Sequence, residues 1–282
     1  FFFKQTTAYA MLRSLVGSEM CIRDRSETIL NVQNIVKRFG GLVALNDCTI
    51  DINKGSITGI IGPNGSGKST LFNVITGQLK PESGSVFYDG QNITGLESYQ
   101  LFELGMLRTF QIAHEFTNMT VIENLMVVPG KQAGENLLYS LVNRKKIQEE
   151  DEVIKQKANE VLEFLKIDHL RNELAGNLAG GQKNLLELAR TMMVDAKIVF
   201  LDEVGAGVHK TLLKDIANSI ERLNKEKGYT FCMIEHDFEL ITRLCDPIIV
   251  LAEGSVLFKG TSSEIRSNDE VIESYLGRGQ KK

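Results

Sequence analysis

The sequence has no tryptophan, and only four prolines and four cysteines among its 282 residues. Cys21, Cys48, Cys232 and Cys245 are scattered, with no C-x-x-C spacing. That pattern makes neither a disulfide framework nor a zinc site and suits a reducing compartment. No run of 18 apolar residues occurs, so no membrane-spanning helix is expected. An excess of basic charge is also missing. Lys and Arg number 32 against 36 Asp and Glu, a formal net charge of −4. No basic stripe dominates, so nucleic acid is not expected as a partner. What remains is ordinary globular composition, 43% hydrophobic and 24% charged, long enough for one large domain or two modest ones.

The opening FFFKQTTAYAMLRSLVGSEMCIRDR does not begin with Met and breaks its apolar runs with Lys4, Arg13 and Arg23. It lacks the charged-then-apolar order of a secretory signal, and SLVGSEMCIRDR resembles a translated library adaptor. Residues 1–27 are therefore expected to be a non-native or disordered extension. From Thr28 the texture changes. ILNVQNIVKRF, ALNDCTIDI and GSVFYDGQNI are short β-rich runs between glycine-containing turns, which predicts an antiparallel sheet. SITGIIG reads as a buried strand. Residues 96–104 read as a helix, and 112–130 as mixed loop and helix.

Residues 131–175 are charged and periodic. Val153, Ala158, Val161, Leu162 and Leu165 recur at roughly helical spacing, with the RKK and EED clusters as solvated faces. KIVFLDE and YTFCMIE are apolar runs ending in acids, as buried parallel strands do. PIIVLAEGSVLFKG predicts a hairpin across Glu253-Gly254, and NDEVIESYLG a closing helix.

Gly62-Pro63-Asn64-Gly65-Ser66-Gly67-Lys68-Ser69 matches G-x-x-x-x-G-K-S/T, after a strand and before a helix. Backbone N–H groups of such a loop wrap phosphates, and the helix start adds positive potential. Lys68 is expected at the β- and γ-phosphates of ATP, and the Ser69 hydroxyl at Mg²⁺. Asp202, ending IVFLD, is expected to hold Mg²⁺ directly or through water, and Glu203 to polarise the attacking water.

With LAGGQ at 178–182, this combination resembles the ATP-binding subunit of ABC transporters over residues 28–278, with 279–282 as a tail. The resemblance implies an α/β fold: a P-loop NTPase core with a mostly parallel sheet, an antiparallel β subdomain, and a helical signature subdomain at about 112–190. In that family two subunits pack head to tail. Each ATP lies between one phosphate loop, here Gly62, Asn64, Gly65, Gly67, Lys68, Ser69 and Thr70, and the partner's signature, here Ala179, Gly180, Gly181 and Gln182. The two glycines are expected to let backbone approach the γ-phosphate. By the same resemblance Phe39 stacks on adenine, Gln111 senses Mg²⁺ and the attacking water, and His236 contacts the γ-phosphate.

RTFQ, MTVIENLMV, GENLL, LLELAR, GAGV, IEHD, LAEG and a terminal YLG are similar to the branched-chain amino acid importer subgroup, LivG type. The partners this implies are permease subunits in the membrane, a second ATP-binding subunit or a second copy of this chain as a head-to-tail dimer, and indirectly a periplasmic solute-binding protein. The chain is expected at the cytoplasmic face of the inner membrane. Urea or short-chain amide importers, lipopolysaccharide-export ATPases and a weakly hydrolysing regulatory subunit are the alternatives. One phosphate loop and no long heptad run argue against translation and repair ATPases. The segment 112–128 is expected to dock a membrane-subunit helix, with Ile112, Phe116, Met119 and Val121 either dock or core.

Three positions depart from the family pattern. Ala179 replaces the signature serine, Val204 a proline, and His209-Lys210 the usual acid or amide and its neighbour. A hydroxyl bonded to a charged phosphate contributes about 1.5–3 kcal/mol. Its loss is expected to weaken the closed sandwich roughly 10–200-fold. Val204 is expected to loosen a turn, and His209 either to bond across the dimer or to add charge there.

Overall fold

The computed structural model describes residues 27–109, 115–130, 132, 144–205, 208–269 and 271. Gln111, Ile112, the GENLL run, residues 1–26, most of the closing helix expected over NDEVIESYLG, and the tail lie outside the described residues.

Strands β1 (Thr28–Phe39), β2 (Leu42–Asn53), β4 (Ser83–Tyr88) and β5 (Gln91–Asn92) form an antiparallel sheet in the order β2-β1-β4-β5. β1 and β2 are a hairpin whose turn is Gly40-Gly41. Val32, Ile35, Leu45, Cys48 and Ile52 are fully buried, so one face of this sheet is core.

A second sheet has the order β10-β9-β3-β8-β7-β6. It comprises β3 (Ile57–Ile61), β6 (Met106–Arg108), β7 (Ile198–Asp202), β8 (Thr230–Ile234), β9 (Ile248–Ala252) and β10 (Ser255–Gly260). Every residue of β3, β7 and β8 is buried, which explains their unbroken apolar runs: both faces are covered. Strands β9, β3, β8, β7 and β6 are parallel, and β10 turns back as the expected hairpin. The carboxyl ends of β3, β8 and β7 therefore share one edge of the sheet, where ligands bind in open α/β sheets.

Helix α1 (Lys68–Ile75) follows β3, and α2 (Ser98–Glu103) lies within the helix expected at 96–104. Helix α3 (Val121–Met126) starts on Thr120, whose hydroxyl accepts from Glu123 N. Val121 is fully buried and is core, whereas Phe116 is half exposed beneath the Arg190 guanidinium, 5.8 Å from the ring centroid.

Helix α4 (Arg144–Phe164) buries Ala158, Val161 and Leu162, with Leu165 just beyond it. Val153 does not join them; it is 68% exposed. Five residues before Ala158 is roughly 140° around a helix of 3.6 residues per turn. The apolar neighbour on the buried side is Ile154, packed on the core. Helix α5 (Gly180–Met192) carries the signature at its start. Helices α6 (Lys210–Lys227), α7 (Phe238–Leu244) and α8 (Ser262–Ser267) complete the described helices. Among the described residues no helix is long and apolar enough to cross a membrane.

Candidate nucleotide site

The loop after β3 turns into α1 through Gly67, whose φ of +101° is left-handed. A Cβ at Gly67 would lie 2.6 Å from the carbonyl oxygen of Ala44, so both conformation and space demand glycine. Lys68 is the first residue of α1, and its Nζ donates to the carbonyls of Gly62 (2.8 Å) and Pro63 (3.0 Å). Burial lowers the Lys68 pKa, opposed by the nearby charges of Glu203 and Asp202. The Ser66 hydroxyl is buried and makes no hydrogen bond, an unspent donor inside the loop.

Phe39, Asn64, Gly65, Gly67, Lys68, Ser69, Thr70, Glu203 and His236 line one open cleft. Phe39, from the end of β1, is 47% exposed with Lys37 Nζ 5.6 Å from its ring centroid. Leu42 and Val43 lie beside it in the cleft and are 67% and 40% exposed. These two went unnoticed in sequence, although GGLVAL sets them just after Phe39. Exposed apolar side chains gathered at a cleft mark a binding surface for a flat apolar group.

Glu203 follows Asp202 at the end of β7 with φ +53°, a left-handed conformation that costs a non-glycine residue about 1–3 kcal/mol. The backbone is held there by the Glu203 N–H, which donates to the Ile234 carbonyl at 2.9 Å. Its carboxylate Oε1 lies 3.0 Å from His236 Nε2, from the loop after β8. Two residues read as separate motifs thus form one polar pair.

Asp202 is buried beneath the cleft and engaged by Arg108, Nη2 to Oδ2 at 2.6 Å. In sequence Arg108 stands out only as the first residue of RTFQ. Glu235, also unnoticed, is 4% exposed and accepts from Gly205 N at 2.8 Å. Burial pushes its pKa up to about 7, with Glu203 and Asp237 adding to the rise against backbone hydrogen bonds from Gly205 and His236. As donors, the Ser69 hydroxyl and the Asp202 carboxylate are hard oxygen ligands, a set that fits Mg²⁺.

The signature residues line none of this cleft. Ala179 caps α5 with no side-chain bond, and its N–H donates instead to Gln182 Oε1 at 2.9 Å. Gly180 is exposed with open space around it. Gly181 is different. A Cβ there would lie 2.3 Å from Leu212 Cδ2 and 2.8 Å from Leu212 Cγ on α6. The second glycine is therefore explained by packing within this chain, a reason the expected phosphate approach did not contain.

The turn after Glu203 is tethered rather than loose: Asn184 Nδ2 donates to the Val204 carbonyl at 2.6 Å, beside the Gly205–Glu235 bond. His209 caps α6, its Nδ1 accepting from Thr211 N at 3.4 Å, which requires the proton on Nε2 if the ring is neutral. Gln111, given to Mg²⁺ and water by resemblance, lies outside the described residues.

The sequence pattern of the family described as ABC transporter matches residues 45–206. A protein of Archaeoglobus fulgidus named "Probable branched-chain amino acid transport ATP-binding protein LivG" is 43% identical over 88% of this chain and 95% of its own length. The high-affinity branched-chain amino acid transport ATP-binding protein LivG of Escherichia coli K12 is 36% identical over 89% of this chain and 99% of its own. A crystal structure of a nucleotide-free ATP-binding cassette from an ABC transporter superposes with TM-score 0.76 at 41% identity, covering 89% of this chain and 99% of that one. An ADP conformation of such a cassette matches with the same TM-score, identity and coverage.

Proposed function

The chain belongs to the ABC transporter family, and we propose that it is the ATP-binding and hydrolysing subunit of an importer of branched-chain amino acids. The observation that carries the ATPase reading is the single cleft shared by the phosphate loop, Glu203 and His236. The solute assignment follows the relatives named for branched-chain amino acid transport.

ATP enters with its adenine on Phe39, flanked by Leu42 and Val43, and its phosphates in the loop from Gly62 to Thr70. Lys68 leaves its carbonyl partners for the β- and γ-oxygens, exchanging neutral acceptors for charged ones. Ser69, Asp202 and by resemblance Gln111 would hold Mg²⁺, which would supply positive charge against the phosphates. Glu203 orients and polarises water for in-line attack. His236, held by Glu203, stabilises charge on the γ-phosphate as it leaves.

The signature segment 179–182 serves the ATP of a second ATP-binding subunit, packed head to tail. Closure of that pair is read by permease subunits at the cytoplasmic face of the inner membrane, and the solute-binding protein acts through them. Ala179 makes the composite site built on this signature the slower of the two.

Phosphate release by the chain reconstituted with its permease subunits tests this reading. Stimulation by leucine, isoleucine or valine with the binding protein supports it. Stimulation by urea or short-chain amides instead moves the solute, and no ATP turnover in the complete transporter removes the reading.

A further inference from the structure

Arg108 ends β6, and neither the motifs nor the resemblance gives it a task. Its side chain is only 12% exposed, and both of its Nη groups are engaged while Nε is buried without a hydrogen-bond partner. Nη2 donates to Asp202 Oδ2 at 2.6 Å. Nη1 faces Asn73 Oδ1 at 2.6 Å, Gln78 Oε1 at 3.2 Å and Thr76 Oγ1 at 3.3 Å. The guanidinium carbon lies 5.8 Å from the Phe72 ring centroid, so the plane is packed as well as bonded. Asn73, Thr76 and Gln78 are neutral acceptors, and Asp202 is the one carboxylate among these four partners. Asn73 lies on α1 and Thr76 caps its end, so the bond to Asp202 is braced by the helix that carries Lys68.

The sorting of charge is the second observation. Lys68 feels both Asp202 and Glu203, yet its Nζ donates to the Gly62 and Pro63 carbonyls and not to either acid. With Arg108 on Asp202 and His236 on Glu203, each acid already has a partner.

The geometry points to Arg108 as a positioning residue, one that clamps the Asp202 carboxylate to α1 for Mg²⁺ and keeps it off Lys68. This rests on the nucleotide-site reading above. A lysine could supply the charge but not the fork, because one ammonium cannot span Asp202 and Asn73 in a fixed plane. Partners of a metal-ligating carboxylate typically govern metal affinity by about 10–100-fold.

Binding of a fluorescent ATP analogue to the full chain, titrated with Mg²⁺ and repeated in chelator, tests the assignment without turnover. Arg108→Met should raise the half-saturating Mg²⁺ at least about tenfold while metal-free affinity stays within about twofold. Arg108→Lys and Asn73→Ala should shift Mg²⁺ the same way by less, and they carry the test if Arg108→Met does not fold. Unmoved Mg²⁺ dependence in the folded variants, or equal losses with and without metal, overturns the assignment. A wild-type chain that binds no nucleotide with Mg²⁺ would instead overturn the nucleotide-site reading.

Discussion

The cleft and the signature are opposite kinds of site. Around the cleft, side chains at or just after the ends of β6, β7 and β8 and the start of α1 are already engaged: His236 with Glu203, Arg108 with Asp202, Lys68 with its own loop. At the signature, Ala179 and Gly180 are exposed, and among the described residues no atom outside the chain neighbours and the helix's own backbone comes within 4 Å of where a Gly180 Cβ would stand. One surface is organised inward, its side chains bonded within this chain. The other is organised outward, with its second glycine fixed by α6 and its first left open. On the proposed function, the first surface receives this chain's own nucleotide and the second serves that of a partner subunit.

The sharpest way to break the contrast is at Glu203. Glu203→Gln should lower phosphate release by about 10²–10⁴-fold while analogue binding persists. Loss of binding alongside turnover would show that Glu203 builds the cleft rather than acting in it.

Glu235 makes the cleft the pH-sensitive end of the comparison. Its folded pKa of about 7 lies above the ordinary 4.5, so the neutral form is favoured on folding. That contribution is whole below pH 4.5 and is lost as pH rises through 7, up to about 3 kcal/mol. Glu235→Gln should therefore gain urea stability relative to wild type between pH 5 and pH 8. Parallel pH profiles for the two proteins would contradict a buried, titrating carboxyl.

On the signature side, Ala179→Ser restores a hydroxyl worth about 1.5–3 kcal/mol to a charged phosphate. ATP affinity of the assembled transporter should rise roughly 10–200-fold, while binding to the isolated chain stays unchanged. A rise in the isolated chain would mean that the signature acts in cis.

The two glycines separate packing from recognition. Gly181→Ala should cost about 1–3 kcal/mol of stability through contact with Leu212. Gly180→Ala should be neutral or stabilising by up to about 1 kcal/mol, since alanine is the better helix former. Equal unfolding midpoints for the two variants would erase the distinction.

The phosphate loop was legible because it is local. Its glycines, lysine and serine are neighbours in sequence, and the segment lies between β3 and α1 as expected. Strands β7 and β8 were legible because four apolar residues in a row, IVFL and FCMI, run directly into an acid, as buried parallel strands do. Val153 was misread because rough spacing does not fix a helix face, and Ile154 one residue on is the packed one. His209 as a cap and Asn184 as the tether of the Val204 turn depend on neighbours 2 and 20 residues away.

Sequence alone determined the chemistry available: a phosphate loop, a paired Asp202 and Glu203, a histidine after a buried strand, and an alanine where a hydroxyl belongs. Only the tertiary structure decided who holds whom. Arg108 and Asp202 stand 94 residues apart, and His236 and Glu203 stand 33 apart. Parallel strands β3, β8, β7 and β6, successive neighbours in the sheet, end at one edge and bring such residues into contact. Side-chain hydrogen bonds act over about 3 Å, so no spacing along the chain could announce them.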